Sequence, residues 1–149
     1  MNGIAFMHAY KFTHFDENSR VERKDARKFS FIDKIKAVIM GVDNPRPVNR
    51  ALPGINFETI LLNSNNKKIE CWWIPKDSAI GSVIIFHGYG GEKSSMLDKA
   101  EIFYGFGYNT LLVDFMGSGG SEGNQTTIGY FEAKQVRSAY EYVSTKTGG

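Results

Sequence analysis

At 149 residues the chain has room for one domain with a substantial core, and its 42% apolar, 13% aromatic and 23% charged composition is that of a globular protein, not a disordered one. A net charge of +2 argues against a nucleic-acid-binding stripe. One cysteine, Cys71, excludes an internal disulfide, and no apolar run approaches transmembrane length.

Met1 to Phe15 has no clear period and reads as coil or frayed helix. Its Ile4-Ala5-Phe6-Met7 lacks the basic and long apolar parts of a signal peptide, but fits the tail of a longer anchor. Cytoplasmic and membrane-associated locations both stay open. Ser19 to Lys28 clusters Arg20, Arg23, Lys24, Arg27 and Lys28, a solvated helix face or else a surface for anionic lipid or an acidic partner. Ser30 with Asp33 opens an amphipathic helix over Phe31 to Met40, with Ile32, Ile35, Val38 and Ile39 on one face and Gly41 as its cap. Asn44-Pro45-Arg46-Pro47 stops any helix. It separates a helical extension, residues 1–55, from a core, residues 56–149.

The core opens with two strand-like runs, Phe57 to Leu62 and Ile69 to Ile74, around Asn63-Ser64-Asn65-Asn66, a turn by composition. An antiparallel hairpin follows from this. Cys71 lies in its second strand beside Trp72 and Trp73, where a small buried hydrophobe is expected. Ser82 to Gly91 comes next: Val83-Ile84-Ile85-Phe86 is long enough to cross a buried parallel sheet and too short for a helix. His87-Gly88-Tyr89-Gly90-Gly91 then delivers backbone N–H groups to the C-terminal edge of that sheet, where open α/β sheets bind ligands. Ser95 with Asp98 marks a helix start, and Gly105 and Gly107 end that helix. Thr110 to Val113, closed by Asp114, is a second parallel strand. After a Gly- and Ser-rich loop, Phe115 to Thr127, a helix is predicted over roughly 130–146 from Val136, Ala139, Tyr140 and Val143.

The glycine-rich loops fit three chemistries unequally. A phosphate-binding P-loop would need Gly where His87 and Glu92 stand, and the dinucleotide fingerprint begun by Gly117-Ser118-Gly119 meets Glu122 at its third glycine. Gly119-Gly120-Ser121-Glu122-Gly123 spells a nucleophile elbow, but that turn must run straight from strand into helix. Here the strand ends at Asp114 and helical pattern resumes only near Tyr130, so Ser121 is expected to be a loop residue. The third reading makes His87 to Gly91 an oxyanion loop.

At this point the chain resembles the α/β-hydrolase superfamily. The resemblance rests on a strand ending in His87-Gly88, then a helix, then a strand ending in Asp114-Phe115-Met116-Gly117-Ser118-Gly119-Gly120-Ser121. It covers about Phe57 to Gly149 and is nearest the serine aminopeptidase and monoacylglycerol-lipase-like branch. Many relatives carry Arg where Met116 stands, so a loop-fixing ion pair is expected to be missing.

The resemblance implies a hydrolase of esters, thioesters or amides that uses Ser, Asp or Glu, and His in that chain order. Tyr89 N–H would donate to the oxyanion, with His87, Gly88, Gly90 and Gly91 shaping the loop. Asp114, Gly117, Gly119 and Ser121 would fix the neighbouring loop. Nucleophile, acid and base are expected beyond Gly149, so the chain reads as an inactive N-terminal part of such an enzyme, needing no cofactor and no metal. A general-base role for His87, His8 or His14 is not expected. In the family the Ser82 to His87 strand lies between the Thr110 to Asp114 strand and the nucleophile strand. Its bare edge would therefore invite self-association, or binding of another chain, in the alternative reading as a non-catalytic module.

Overall fold

The computed structural model describes residues 2–17 and 30–148. The basic segment Ser19 to Lys28 lies outside the described residues. Gly3 to Thr13 forms an 11-residue helix, α1, where the sequence showed no period. The reason is visible in its exposure: apolar Ile4, Phe6, Tyr10 and Phe12 are spread around the helix and all stay at the surface. Such a helix has no buried stripe to betray it. Asn2 caps it by accepting from the Ile4 N–H at 3.2 Å.

β1 (Phe15–Asp16) pairs in parallel with β2 (Asn44–Pro45), and between them α2 spans Phe31–Met40 as predicted. The Ser30 N–H donates to the Asp33 carboxylate at 3.2 Å, the reciprocal half of a capping box. The extension does not stand apart from the rest. The Phe15 N–H donates to the Asn124 carbonyl (2.6 Å), Thr126 N–H to the Thr13 carbonyl (2.8 Å) and Gly119 N–H to the Pro47 carbonyl (2.9 Å).

β3 (Glu58–Ser64) and β4 (Lys67–Ile74) make the expected antiparallel hairpin. Its turn is tighter than composition implied, because Asn63 and Ser64 remain in the strand and pair with Lys68 and Lys67. Only Asn65 and Asn66 turn, at φ of 51° and 57°. A two-residue hairpin needs two successive left-handed residues, and asparagine accepts that conformation more readily than other side chains.

β5 (Gly81–Phe86) is followed by a short 3-10 turn, Lys93–Met96, and by α3 (Leu97–Gly105). Ser95 does not cap α3, contrary to the sequence reading. Its hydroxyl donates to the Glu92 carbonyl at 2.6 Å inside the 3-10 turn, and the α-helix starts two residues later. β6 (Tyr108–Val113) and α4 (Tyr130–Thr147) complete the chain.

The sheet order is β3-β4-β6-β5, with β4 antiparallel and β5 parallel to β6. Strand alternation sorts the side chains to two faces. Trp72, Ile74, Ile85 and Leu112 pack with Ala100 of α3, whereas Ile69, Cys71, Trp73, Leu111 and Val113 pack with Ala139 and Val143 of α4. Each fully buried Ile or Leu of this set stabilises the fold by about 1.5–3 kcal/mol. Cys71 is one of them: burial pushes its thiol up to about 12, so it packs as an inert hydrophobe. Among the described residues β5 pairs with β6 alone, which leaves its other edge without a strand.

Candidate active site

The candidate site lies at the end of β5. Past Phe86 the chain turns sharply, and the Gly91 N–H donates to the Gly88 carbonyl at 3.1 Å. Gly90 occupies the third position of this four-residue turn at φ of 64°, a conformation only glycine adopts without strain. The turn therefore presents the Tyr89 and Gly90 backbone at the C-terminal edge of the sheet.

His87, 6% exposed, holds the turn from beneath. Its Nδ1 lies 2.8 Å from the Gly88 carbonyl, and its Nε2 lies 3.1 Å from the Phe115 backbone nitrogen. A carbonyl only accepts and an amide only donates, so Nδ1 carries the proton and Nε2 receives one. Both ring nitrogens are committed, and the imidazole links the β5 turn to the loop after β6. His8 and His14 sit in or beside α1. His8 Nε2 reaches the Val38 carbonyl (2.8 Å), and His14 Nδ1 reaches the Tyr10 carbonyl (3.0 Å).

Asp114 is fully buried and gathers four donors. Oδ1 accepts the Lys93 N–H at 2.7 Å. Oδ2 accepts Asn49 Nδ2 at 2.8 Å, the Gly120 N–H at 3.0 Å and the Lys93 ammonium. Lys93 is itself fully buried, with Glu70 Oε1 2.6 Å from its Nζ and the Trp72 ring centroid 4.2 Å away. Asp114 thus has a cation partner although Met116 supplies none: a lysine that begins the turn into α3. The glycines at 119 and 120 follow from this crowding, because a Cβ at Gly119 would collide with the Asp114 carboxylate and one at Gly120 with Glu70.

Ser121 is 1% exposed, and its hydroxyl donates to the Asp114 carbonyl (2.7 Å) while accepting the Glu70 N–H (2.8 Å). A nucleophile needs an exposed oxygen and a base to take its proton, and Ser121 has neither. Gly117 is held at φ of 82° with the backbone of Gln125 2.8 Å from where a Cβ would stand. Arg46, which the sequence reading passed over, reaches in from the extension. Its guanidinium donates to the carbonyls of Gly123 and Ser121 in this loop.

Between the two loops lies a cavity of about 280 Å³. His87, Gly88, Tyr89 and Gly90 line one side, and Phe15, Phe115 and Met116 contribute apolar walls. Gly91, Asp114, Gly117, Gly119 and Ser121 do not line it; they sit in the framework behind. Glu132, near the start of α4, closes the far side. Burial alone would raise its pKa, but hydrogen bonds from Thr127 and Thr126, at 2.6 and 2.7 Å, outweigh that and hold the carboxyl at about 2. It also accepts the Gly129 N–H at 2.9 Å. This carboxylate is occupied in tying the loop to α4. The Tyr89 ring stacks on Phe12 at 4.8 Å, with its hydroxyl donating to the Phe12 carbonyl at 2.6 Å. Among the described residues, no group of three or more His, Cys, Asp or Glu side chains is placed to hold a metal ion.

The fold recurs in solved structures. The Pyrococcus furiosus esterase Pf2001 matches in one crystal form with 26% identity and a TM-score of 0.65, over 72% of this chain and 43% of the esterase. A second crystal form gives 26% identity and a TM-score of 0.64, covering 72% and 44%. An α/β-hydrolase from Vibrio vulnificus matches over 62% of this chain and 31% of its own, at 14% identity and a TM-score of 0.53. No protein-family model matches the sequence, and neither does any curated protein. The chain therefore has the α/β-hydrolase fold in part, spanning less than half the length of the esterase it matches.

Proposed function

We propose that this chain carries the oxyanion side of a serine-hydrolase site acting on ester, thioester or amide bonds, of the serine aminopeptidase and monoacylglycerol-lipase-like branch. In this reading a serine on the strand after α4 attacks the substrate carbonyl. The Tyr89 amide and the amide following that serine meet the negative oxygen that develops. The acid and base of the triad come later still, and His87 positions the loop without exchanging protons with substrate.

The observation that carries the reading is the Gly88–Gly91 turn, tied by the two nitrogens of His87 to the Phe115 loop, with Gly88, Tyr89 and Gly90 lining a cavity at the carboxyl edge of the parallel strands. A preorganised donor at such a place typically contributes about 2.7–4 kcal/mol of transition-state stabilisation. The similarity to a protein described as an esterase points the same way. A second reading, binding or self-association without catalysis, is favoured by the strandless edge of β5.

Hydrolysis of a p-nitrophenyl ester separates the two. The 149-residue chain is expected to give no turnover, and a chain continued past Gly149 through the next strand is expected to hydrolyse the ester. In that longer protein Tyr89→Pro, which deletes the amide proton, should lower kcat by about 10²–10³-fold. Turnover by the 149-residue chain that Ser121→Ala abolishes would overturn the reading.

A further inference from the structure

The helix α2 presents its apolar side to solvent. On a helical projection Phe31, Ile32, Ile35, Val38 and Ile39 share one arc, with Asp33 and Ala37 opposite. These five residues are 44–77% exposed, while Ala37 is the one half-buried residue of the helix. The C-terminal end of α2 rests on α1: His8 Nε2 meets the Val38 carbonyl, and the Lys11 side chain lies against Gly41. The exposure of all five leaves the stripe outward, where a surface helix of a globular fold would turn it inward. Lys34 and Lys36, both exposed, flank the stripe on its two sides. Long lysine side chains in those positions can rise beside an apolar face that is sunk in a membrane interface.

Charge distribution selects the lipid. Residues 1–55 hold ten of the 18 Lys and Arg but only six of the 16 Asp and Glu, so the chain's positive surplus resides in the extension. No described helix is long and apolar enough to cross a bilayer, so lying on it is the geometry that fits.

We propose that the stripe of α2 docks on the surface of an anionic membrane, inserting Phe31, Ile32, Ile35, Val38 and Ile39 below the headgroups with Lys34 and Lys36 among the phosphates. This is independent of the hydrolase reading.

Co-sedimentation of the whole chain with vesicles tests it. Binding is expected to vesicles of 70% phosphatidylcholine and 30% phosphatidylglycerol, weakening as salt is raised, with much less binding to phosphatidylcholine alone. Ile35→Glu with Ile39→Glu should reduce the partition coefficient at least about tenfold. Lys34→Glu with Lys36→Glu should remove the preference for the anionic lipid. Both pairs of positions are exposed, so circular dichroism and thermal melting should be unchanged and loss of binding would not reflect unfolding. Equal binding by wild type and Ile35→Glu/Ile39→Glu overturns the proposal. So does failure to bind either vesicle, whether the chain is a monomer or a dimer whose partner covers the stripe.

Discussion

Lys93 is fully buried, and an unpaired charge there would cost several kcal/mol. Asp114 and Glu70 offset that cost by direct pairing, and the Trp72 ring covers a further side of the cation. The arrangement matters to the site because the same Asp114 carboxylate holds Gly120 and Asn49, and so ties both loops and the extension to one buried point. Lys93→Met is expected to destabilise the chain by about 3–5 kcal/mol, since it leaves the buried Asp114 carboxylate and the partly exposed Glu70 without their cation. Urea denaturation measures this, and a change below about 1 kcal/mol would show that the network is dispensable. Glu132 adds a pH dependence. Its carboxyl ordinarily titrates near 4.5 and is lowered to about 2 in the fold. The stability it contributes is complete above pH 4.5 and is lost as pH falls towards 2. Glu132→Gln should flatten melting temperature against pH across that window; an unaltered slope would contradict the assignment.

At the scale of elements, the strands and α4 were legible because their signals are local. Val83 to Phe86 and Thr110 to Val113 are short apolar runs closed by glycine or aspartate, and the structure extends them only to Gly81–Phe86 and Tyr108–Val113. What was not legible depends on distant partners. The β1–β2 ladder joins Phe15 to Asn44 across 29 positions, Arg46 finds its acceptors at Ser121 and Gly123 in the Gly- and Ser-rich loop, and Lys93 finds its own at Glu70 and Asp114. Of the site, the His87–Gly91 turn and the loop residues Asp114, Gly117, Gly119 and Ser121 were named from the sequence, whereas Lys93, Glu70, Asn49 and Arg46, which reach them from distant positions, were not. The bare edge of β5 bears its own prediction, because Val83 to Phe86 are apolar and their strand has one partner among the described residues. Light scattering during size exclusion should show association that grows with protein concentration. A chain that stays monomeric at about 100 μM would count against an adhesive edge, and association lost in Ile35→Glu/Ile39→Glu would move its origin to α2.

For the molecule as a whole, the extension is joined to the site as well as to the surface. Phe15 walls the cavity, Arg46 fills the carbonyls of the loop beside it, and Phe12 takes the Tyr89 ring. A helix docked on a membrane through α2 would therefore be coupled through α1 to the turn at the end of β5. The account's central claim is that this turn serves a serine not among these 149 residues. Labelling with a fluorophosphonate, followed by mass-spectrometric mapping, asks this directly. The 149-residue chain should remain unlabelled, and a chain continued through the following strand should be labelled at one serine beyond Gly149. Covalent label on Ser121, or on any other serine up to Ser144, would contradict it.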